Sequence, residues 1–76
     1  MKINQSNVFP EVKLFTPNVY KDHRGFFTET FNVKVQNELE VTFYQDNHHC
    51  SRKNVIRGIH YQWNKPMGKL CRVVKG

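Results

Sequence analysis

The segment RGIHYQ, residues 57–62, places a guanidinium, an imidazole and a phenol within five positions. Arg57 is suited to holding a phosphate, because its planar guanidinium can donate two hydrogen bonds at once. His60 is suited to accepting a proton near neutral pH. Together these side chains would form an anion clamp beside a proton acceptor. An isolated histidine in a strand is more often a packing or surface residue, so the pattern alone leaves both interpretations of His60 open.

The two side chains can serve one site only if their strand is irregular. Residues 55–61 are predicted to form a β-strand, and successive side chains of a regular strand point to opposite faces. Arg57 and His60 would then diverge. A β-bulge shifts the alternation by one residue, and glycine is a common place for it. We therefore predict a bulge near Gly58 that brings Arg57 and His60 to the same side.

Histidine and cysteine side chains suggest a metal site less strongly. His48, His49 and Cys50 offer nitrogen and sulfur ligands, but adjacent strand residues point apart and no standard ligand spacing is present. We predict no metal. Cys50 and Cys71 form no C-x-x-C motif and cannot make a disulfide framework. Both are predicted to be reduced packing residues.

A basic turn leads into an aromatic strand at residues 24–27, Arg-Gly-Phe-Phe. Aromatic faces beside basic residues suit base stacking, so one alternative is a non-catalytic basic β module that binds single-stranded nucleic acid. The simpler interpretation, preferred for Phe26 and Phe31, is that they belong to the core. The formal net charge of +6 favours an anionic partner, which could be nucleic acid, an anionic surface or a phosphorylated small molecule.

Strand signals dominate the elements that would position these residues. A turn is predicted at residues 21–25, and a short polar helix at 32–40 with Asn32 as a potential N-cap. The predicted strands are 12–15, 25–31, 41–47, 55–61 and 69–74.

The length of 76 residues limits the chain to one small domain. No run approaches the ~20 apolar residues of a membrane span, and the N-terminus lacks the apolar core of a signal peptide. A cytoplasmic location is therefore expected. Strands that stop at Gly76 would leave an unpaired edge, so we expect residues 1–76 to be the N-terminal part of a longer single domain.

Three ordered segments carry a family resemblance: DHRGFFTETF, FYQDNHHCSRKNVIRGIHYQ and GKLCRVVKG. They resemble the N-terminal part of the dTDP-4-dehydrorhamnose 3,5-epimerases, from about Pro10 to Gly76. The resemblance implies an all-β, cupin-type jelly roll, of which this chain holds the N-terminal strands. It also implies a homodimer with a shared active site, no metal, no organic cofactor, and neither nucleic acid nor membrane as partner.

The implied reaction is epimerisation at C3 and/or C5 of a dTDP-linked 4-keto-6-deoxy-hexose, as in dTDP-rhamnose biosynthesis for surface polysaccharide. By resemblance, His60 removes the proton alpha to the ketone, Lys69 stabilises the enolate oxygen, and Arg57 holds the diphosphate or the sugar. The remaining matched positions would bind the nucleotide and its diphosphate. They are Arg24, Phe27, Glu29, Gln45 and Asn47.

Two departures from the family pattern qualify these expectations. The family places a Tyr that acts as the general acid, and an Asp that orients the His, in the later part of the chain, outside residues 1–76. We therefore expect no catalysis from residues 1–76 alone. The loop QWNKPMGKL is shorter than usual and carries Met67 where a Gln is common. These residues therefore do not determine whether C3, C5 or both are inverted. A dTDP-ketosugar 3-epimerase or a 3,4-ketoisomerase is an alternative.

Overall fold

The regular structure lies in the N-terminal half of the chain. The computed structural model describes residues 1–76 and divides into two compact units, Met1–Thr42 and Phe43–Gly76. The first unit contains two antiparallel hairpins, β1–β2 and β3–β4, followed by one helix. The elements are β1 (Lys2–Gln5), β2 (Lys13–Thr16), β3 (Val19–Asp22), β4 (Gly25–Thr28) and α1 (Val33–Leu39).

The first hairpin pairs Ile3 with Phe15 and Asn4 with Leu14. Its connecting loop is closed by hydrogen bonds of its own: the Ser6 N–H donates to the Val12 carbonyl at 2.9 Å. The Ser6 hydroxyl also accepts from two backbone N–H groups of the loop. The strand predicted at 12–15 is therefore confirmed with a shift of one residue, whereas its partner β1 was not predicted.

The second hairpin turns at His23 and Arg24, between the paired residues Asp22 and Gly25. Aspartate at the first position and glycine at the fourth are the preferred residues of the commonest β-turn. Gly25 has φ 129°, a conformation in which a Cβ would be strained. The predicted turn is confirmed. β4 ends at Thr28, however, so the predicted strand 25–31 is too long.

Helix α1 is short and is capped at both ends by local hydrogen bonds. The Asn32 side chain accepts from the Val35 N–H at 3.1 Å, which is the N-cap that the sequence predicts. At the C-terminus, Glu40 has φ 55° and its N–H donates to the Asn37 carbonyl, while the Val41 N–H reaches Gln36. These nested bonds satisfy carbonyls that would otherwise lack partners. The predicted helix is confirmed as Val33–Leu39.

The second unit contains neither helix nor strand. The strands predicted at 41–47, 55–61 and 69–74 are absent, and without a strand there is no β-bulge between Arg57 and His60. Gly58 does have a positive φ, 130°. Every residue from 44 to 76 is exposed. A strand needs a neighbouring strand for its backbone N–H and C=O groups, and these segments pair with no other strand in this chain.

Very little of the chain is buried. Val35, with 1% of its surface exposed, is the one buried residue, and the accessible surface totals 8130 Å². The prediction that Phe26 and Phe31 are core residues is wrong, since they are 72% and 49% exposed. The two cysteines are free and exposed, so their predicted packing role is wrong as well.

The helical part of the chain lacks the length and the apolar run that crossing a bilayer requires.

Asn32→Ala should reduce the stability of α1 by about 1 kcal/mol, because the Val35 N–H loses its side-chain acceptor. Far-UV circular dichroism during thermal unfolding measures the change. Asn32→Ser is the matched control, since its hydroxyl can still accept the bond. Equal helix content in the alanine variant and the parent would contradict the capping role.

Candidate functional site

The eight predicted site residues lie in both units and are all exposed. Unit Met1–Thr42 holds those of the β3–β4 hairpin and its exit: Arg24, Phe27 and Glu29. Unit Phe43–Gly76 holds Gln45, Asn47, Arg57, His60 and Lys69.

Arg24 is the most firmly held of these side chains. Its Nη2 donates to Asp22 Oδ2 at 2.6 Å and its Nε donates to the same oxygen at 3.1 Å. The other carboxylate oxygen, Oδ1, accepts the Arg24 backbone N–H at 2.8 Å. A single carboxylate therefore fixes both the turn and the guanidinium that the turn presents to solvent.

This contact changes the ionisation of the carboxyl. Hydrogen bonds from the Arg24 side chain and, secondarily, from its backbone N–H lower the pKa of Asp22 below its ordinary value of 3.8. Hydrogen bonds to the charged form favour ionisation. The pair is exposed on both sides, with 78% of the Arg24 and 45% of the Asp22 side-chain surface accessible, so solvent screens much of the attraction.

Phe27 lies on β4 directly opposite Tyr20 of β3. The two rings are 70% and 62% exposed, so this face of the hairpin presents aromatic surface close to the turn that carries Arg24. Glu29 lies beyond the end of β4. Alternation along the predicted strand 25–31 would place Phe27 and Glu29 on one face. That expectation is wrong, because the strand stops between them.

Gln45 and Asn47 are brought together, although without a strand beneath them. The Gln45 side-chain amide donates to Asn47 Oδ1 at 3.2 Å. Alternation along the predicted strand 41–47 would place these two residues on one face; the strand is absent, but their side chains do meet. The contact joins two polar groups that remain open to solvent.

Arg57, His60 and Lys69 are all exposed, and no hydrogen bond or ion pair joins them to each other or to a neighbour. Their neighbours in sequence are equally open, with Ile59 fully exposed and Tyr61 85% exposed. This chain therefore keeps the predicted catalytic groups accessible without building a closed site around them.

Two shallow clefts occur in the first unit, and neither is lined by a predicted site residue. One is lined by residues of α1 and the segment that follows it, and the other lies between the β1–β2 loop, Lys13 and the end of α1. Lys13 bridges the second cleft through Nζ, which donates to the Glu38 carbonyl at 3.1 Å. No group of three His, Cys, Asp or Glu side chains is arranged to hold a metal ion.

Asp22, which holds the Arg24 side chain, is not among the residues that the sequence predicts for the site. Its signal was available: a carboxylate at the first position of a turn, two residues before an arginine, accepts backbone and side-chain hydrogen bonds without any long-range contact.

Arg24→Met should raise the pKa of Asp22 towards 3.8, because the largest cause of its lowering is removed. In the parent, the folded-state pKa is the lower one. The stabilising contribution of Asp22 is then complete above the unfolded-state pKa and is lost as the pH falls through the folded-state pKa. NMR titration of the Asp22 side-chain carboxyl measures the titration midpoint in the parent and in Arg24→Met. Lys21→Met, which removes a nearby cation that makes no hydrogen bond to Asp22, is the control and should shift the midpoint less. An unchanged midpoint in Arg24→Met would contradict the assignment.

The sequence of this chain is similar to that of one enzyme family. The sequence profile described as dTDP-4-dehydrorhamnose 3,5-epimerase matches residues 6–76. Three curated relatives carry that same name. The protein of Methanothermobacter thermautotrophicus is 51% identical over 83% of this chain and 35% of its own length. That of Shigella flexneri is 51% identical over 88% and 39%, and that of Salmonella typhimurium is 44% identical over 100% and 44%.

The chain thus spans between about a third and a half of the length of these relatives. No solved structure gives a significant match. The profile covers almost every residue, including all eight predicted site positions. The chain belongs to the dTDP-4-dehydrorhamnose 3,5-epimerase family.

Proposed function

We propose that the protein containing these residues epimerises a dTDP-linked 4-keto-6-deoxy-hexose at C3, C5 or both. The observation that carries this proposal is the family match over residues 6–76, which includes all eight site residues that the resemblance assigns within this chain. The relatives' shared name describes the same reaction class.

The proposed chemistry begins with His60 as the base. A proton alpha to a ketone is only weakly acidic, and a positioned base accelerates its removal typically 10²–10⁴-fold. Negative charge then develops on the ketone oxygen. Lys69 supplies a fixed positive charge at that oxygen, which stabilises the enolate without reorganisation of solvent. Return of a proton to the opposite face of the carbon completes the inversion.

The reaction moves protons only, so the proposed mechanism requires no cofactor and no metal. The acid that delivers the second proton is, by resemblance, a tyrosine outside the 76 residues. The orienting partner of His60 is, in the same way, an aspartate outside them. Such a partner would fix the imidazole tautomer and direct its ring.

Substrate binding is proposed to use the two arginines and the exposed aromatic face. Arg57 would hold the diphosphate or the sugar, and Arg24 would help hold the nucleotide through a phosphate group, for which a guanidinium fork is well suited. Phe27 would contact the thymidine, with Glu29, Gln45 and Asn47 as polar partners. The net charge of +6 agrees with a diphosphate substrate. The free edge of Arg24 and the exposed ring of Phe27 support these roles.

We also propose that the hairpins are part of a cupin-type jelly roll in a homodimer with a shared active site. Two observations support this. The strands are antiparallel hairpins, which are the building units of a jelly roll. In addition, most large apolar side chains are exposed, and such surface is normally covered by further sheet or by another subunit.

His60→Ala should reduce solvent-deuterium exchange into the sugar by about 10²–10⁴-fold, because the base is lost. The measurement uses the gene product that carries these residues, a dTDP-4-keto-6-deoxy-hexose and D₂O, with NMR to locate the deuterium. Label at C3 and C5 indicates the 3,5-epimerase, label at C3 alone indicates a 3-epimerase, and movement of the carbonyl to C3 indicates a 3,4-ketoisomerase.

His49→Ala is the matched control for that experiment, since His49 is also exposed but has no proposed role. It should exchange at the parental rate. The proposed mechanism fails if the parent does not exchange deuterium, or if His60→Ala exchanges as fast as the parent.

The rival function, a module for single-stranded nucleic acid, predicts the opposite ligand preference. Thermal shift with dTDP should show stabilisation, and an oligonucleotide of deoxythymidine at equal phosphate concentration should show little. Stabilisation by the oligonucleotide that exceeds that by dTDP would favour the nucleic-acid module. Salt dependence distinguishes the two further, because neutralising many phosphates makes binding fall steeply with salt.

A further inference from the structure

We infer that Asp22 is a positioning residue: it holds the Arg24 guanidinium by one edge and thereby presents the opposite edge to a phosphate group of the nucleotide. The inference rests on the proposed function, which places Arg24 at the substrate. It adds Asp22 to the binding residues that are proposed from the family resemblance.

The carboxylate of Asp22 divides its two oxygens between two tasks. Oδ1 accepts the Arg24 backbone N–H at 2.8 Å and so closes the turn. Oδ2 accepts from Nε at 3.1 Å and from Nη2 at 2.6 Å. Because one residue fixes both the backbone and the side chain of Arg24, the direction of the guanidinium is coupled to the geometry of the hairpin.

The donors of Arg24 leave room for an anion. A guanidinium has five N–H groups, and the contact with Asp22 uses one on Nε and one on Nη2. Three therefore remain, two on Nη1 and one on Nη2. The two terminal nitrogens form the fork that binds two phosphate oxygens at once, so Asp22 and a phosphate can occupy Arg24 together without competing for a donor.

Holding the side chain in advance should strengthen binding. An unrestrained arginine loses side-chain freedom when it engages a ligand, and a contact that already restricts it reduces that loss. The Asp22–Arg24 pair is exposed, and exposed pairs contribute modestly. We therefore expect a small but defined effect on affinity rather than a complete loss.

Asp22→Asn isolates this role. Its side-chain oxygen can still accept the Arg24 backbone N–H and keep the turn, whereas its NH₂ group cannot accept from the guanidinium. The dissociation constant for dTDP, measured by calorimetry on the gene product that carries these residues, should rise about two- to fivefold. Binding of thymidine, which lacks phosphate, should not change. KM should rise while kcat stays close to the parental value.

Two further variants complete the design. Glu38→Gln is the matched control, because Glu38 also forms an exposed ion pair and its carboxylate is 46% accessible, against 45% for Asp22. It should leave dTDP affinity unchanged. In an Arg24→Met background, Asp22→Asn should have no additional effect, since the side chain that it positions is gone.

The possible outcomes separate this inference from the function on which it rests. If Arg24→Met weakens dTDP binding but Asp22→Asn does not, the positioning role is overturned and the proposed function stands. The role is also overturned if Asp22→Asn weakens thymidine and dTDP equally, because the effect is then not directed at phosphate. If neither dTDP binding nor deuterium exchange occurs in the parent, both proposals fail.

Discussion

Val35 is the one side chain that this chain buries. Apart from the contact of Lys13 with Glu38, its strands and helix are held mainly by hydrogen bonds between residues close in sequence. The two hairpins, the N-cap at Asn32 and the turn at Asp22 all belong to this class. Such bonds contribute about 1 kcal/mol each after exchange with water. They can define local geometry, but they cannot replace the burial of apolar surface that stabilises a domain.

The same constraint separates what the sequence predicts from what it does not. The turn after Asp22 and the helix after Asn32 are confirmed, because their signals lie in the residues that form them. The strand predicted at 55–61 is absent, although Val55, Ile56 and Ile59 have high β-strand propensity. β-propensity largely reflects packing against neighbouring strands and burial, and this segment has neither. Phe26 and Phe31 fail as core residues for that reason too.

For the candidate site, residue types indicate the chemistry but not the assembly. An arginine and a histidine near each other suggest an anion clamp and a base, and the resemblance assigns His60 and Lys69 their roles. Neither residue is held by a hydrogen bond or an ion pair in this chain. Catalytic geometry depends on contacts between elements distant in sequence, and a pattern within one segment carries no information about those contacts. Arg24 differs, because the residue that holds it is only two positions away.

This difference has a physical consequence for how a binding site of this kind can form. The Arg24 guanidinium is oriented by its own turn, since its three hydrogen bonds to Asp22 require only residues 22–24. His60 has no such partner close in sequence, because no hydrogen bond or ion pair holds it in this chain. The proposed phosphate contact of Arg24 is thus encoded locally, whereas the proposed proton abstraction by His60 depends on contacts distant in sequence. Under the proposed function, substitutions distant in sequence from residues 22–24 should therefore affect proton abstraction more than phosphate binding, because the two depend on structure at different ranges along the chain.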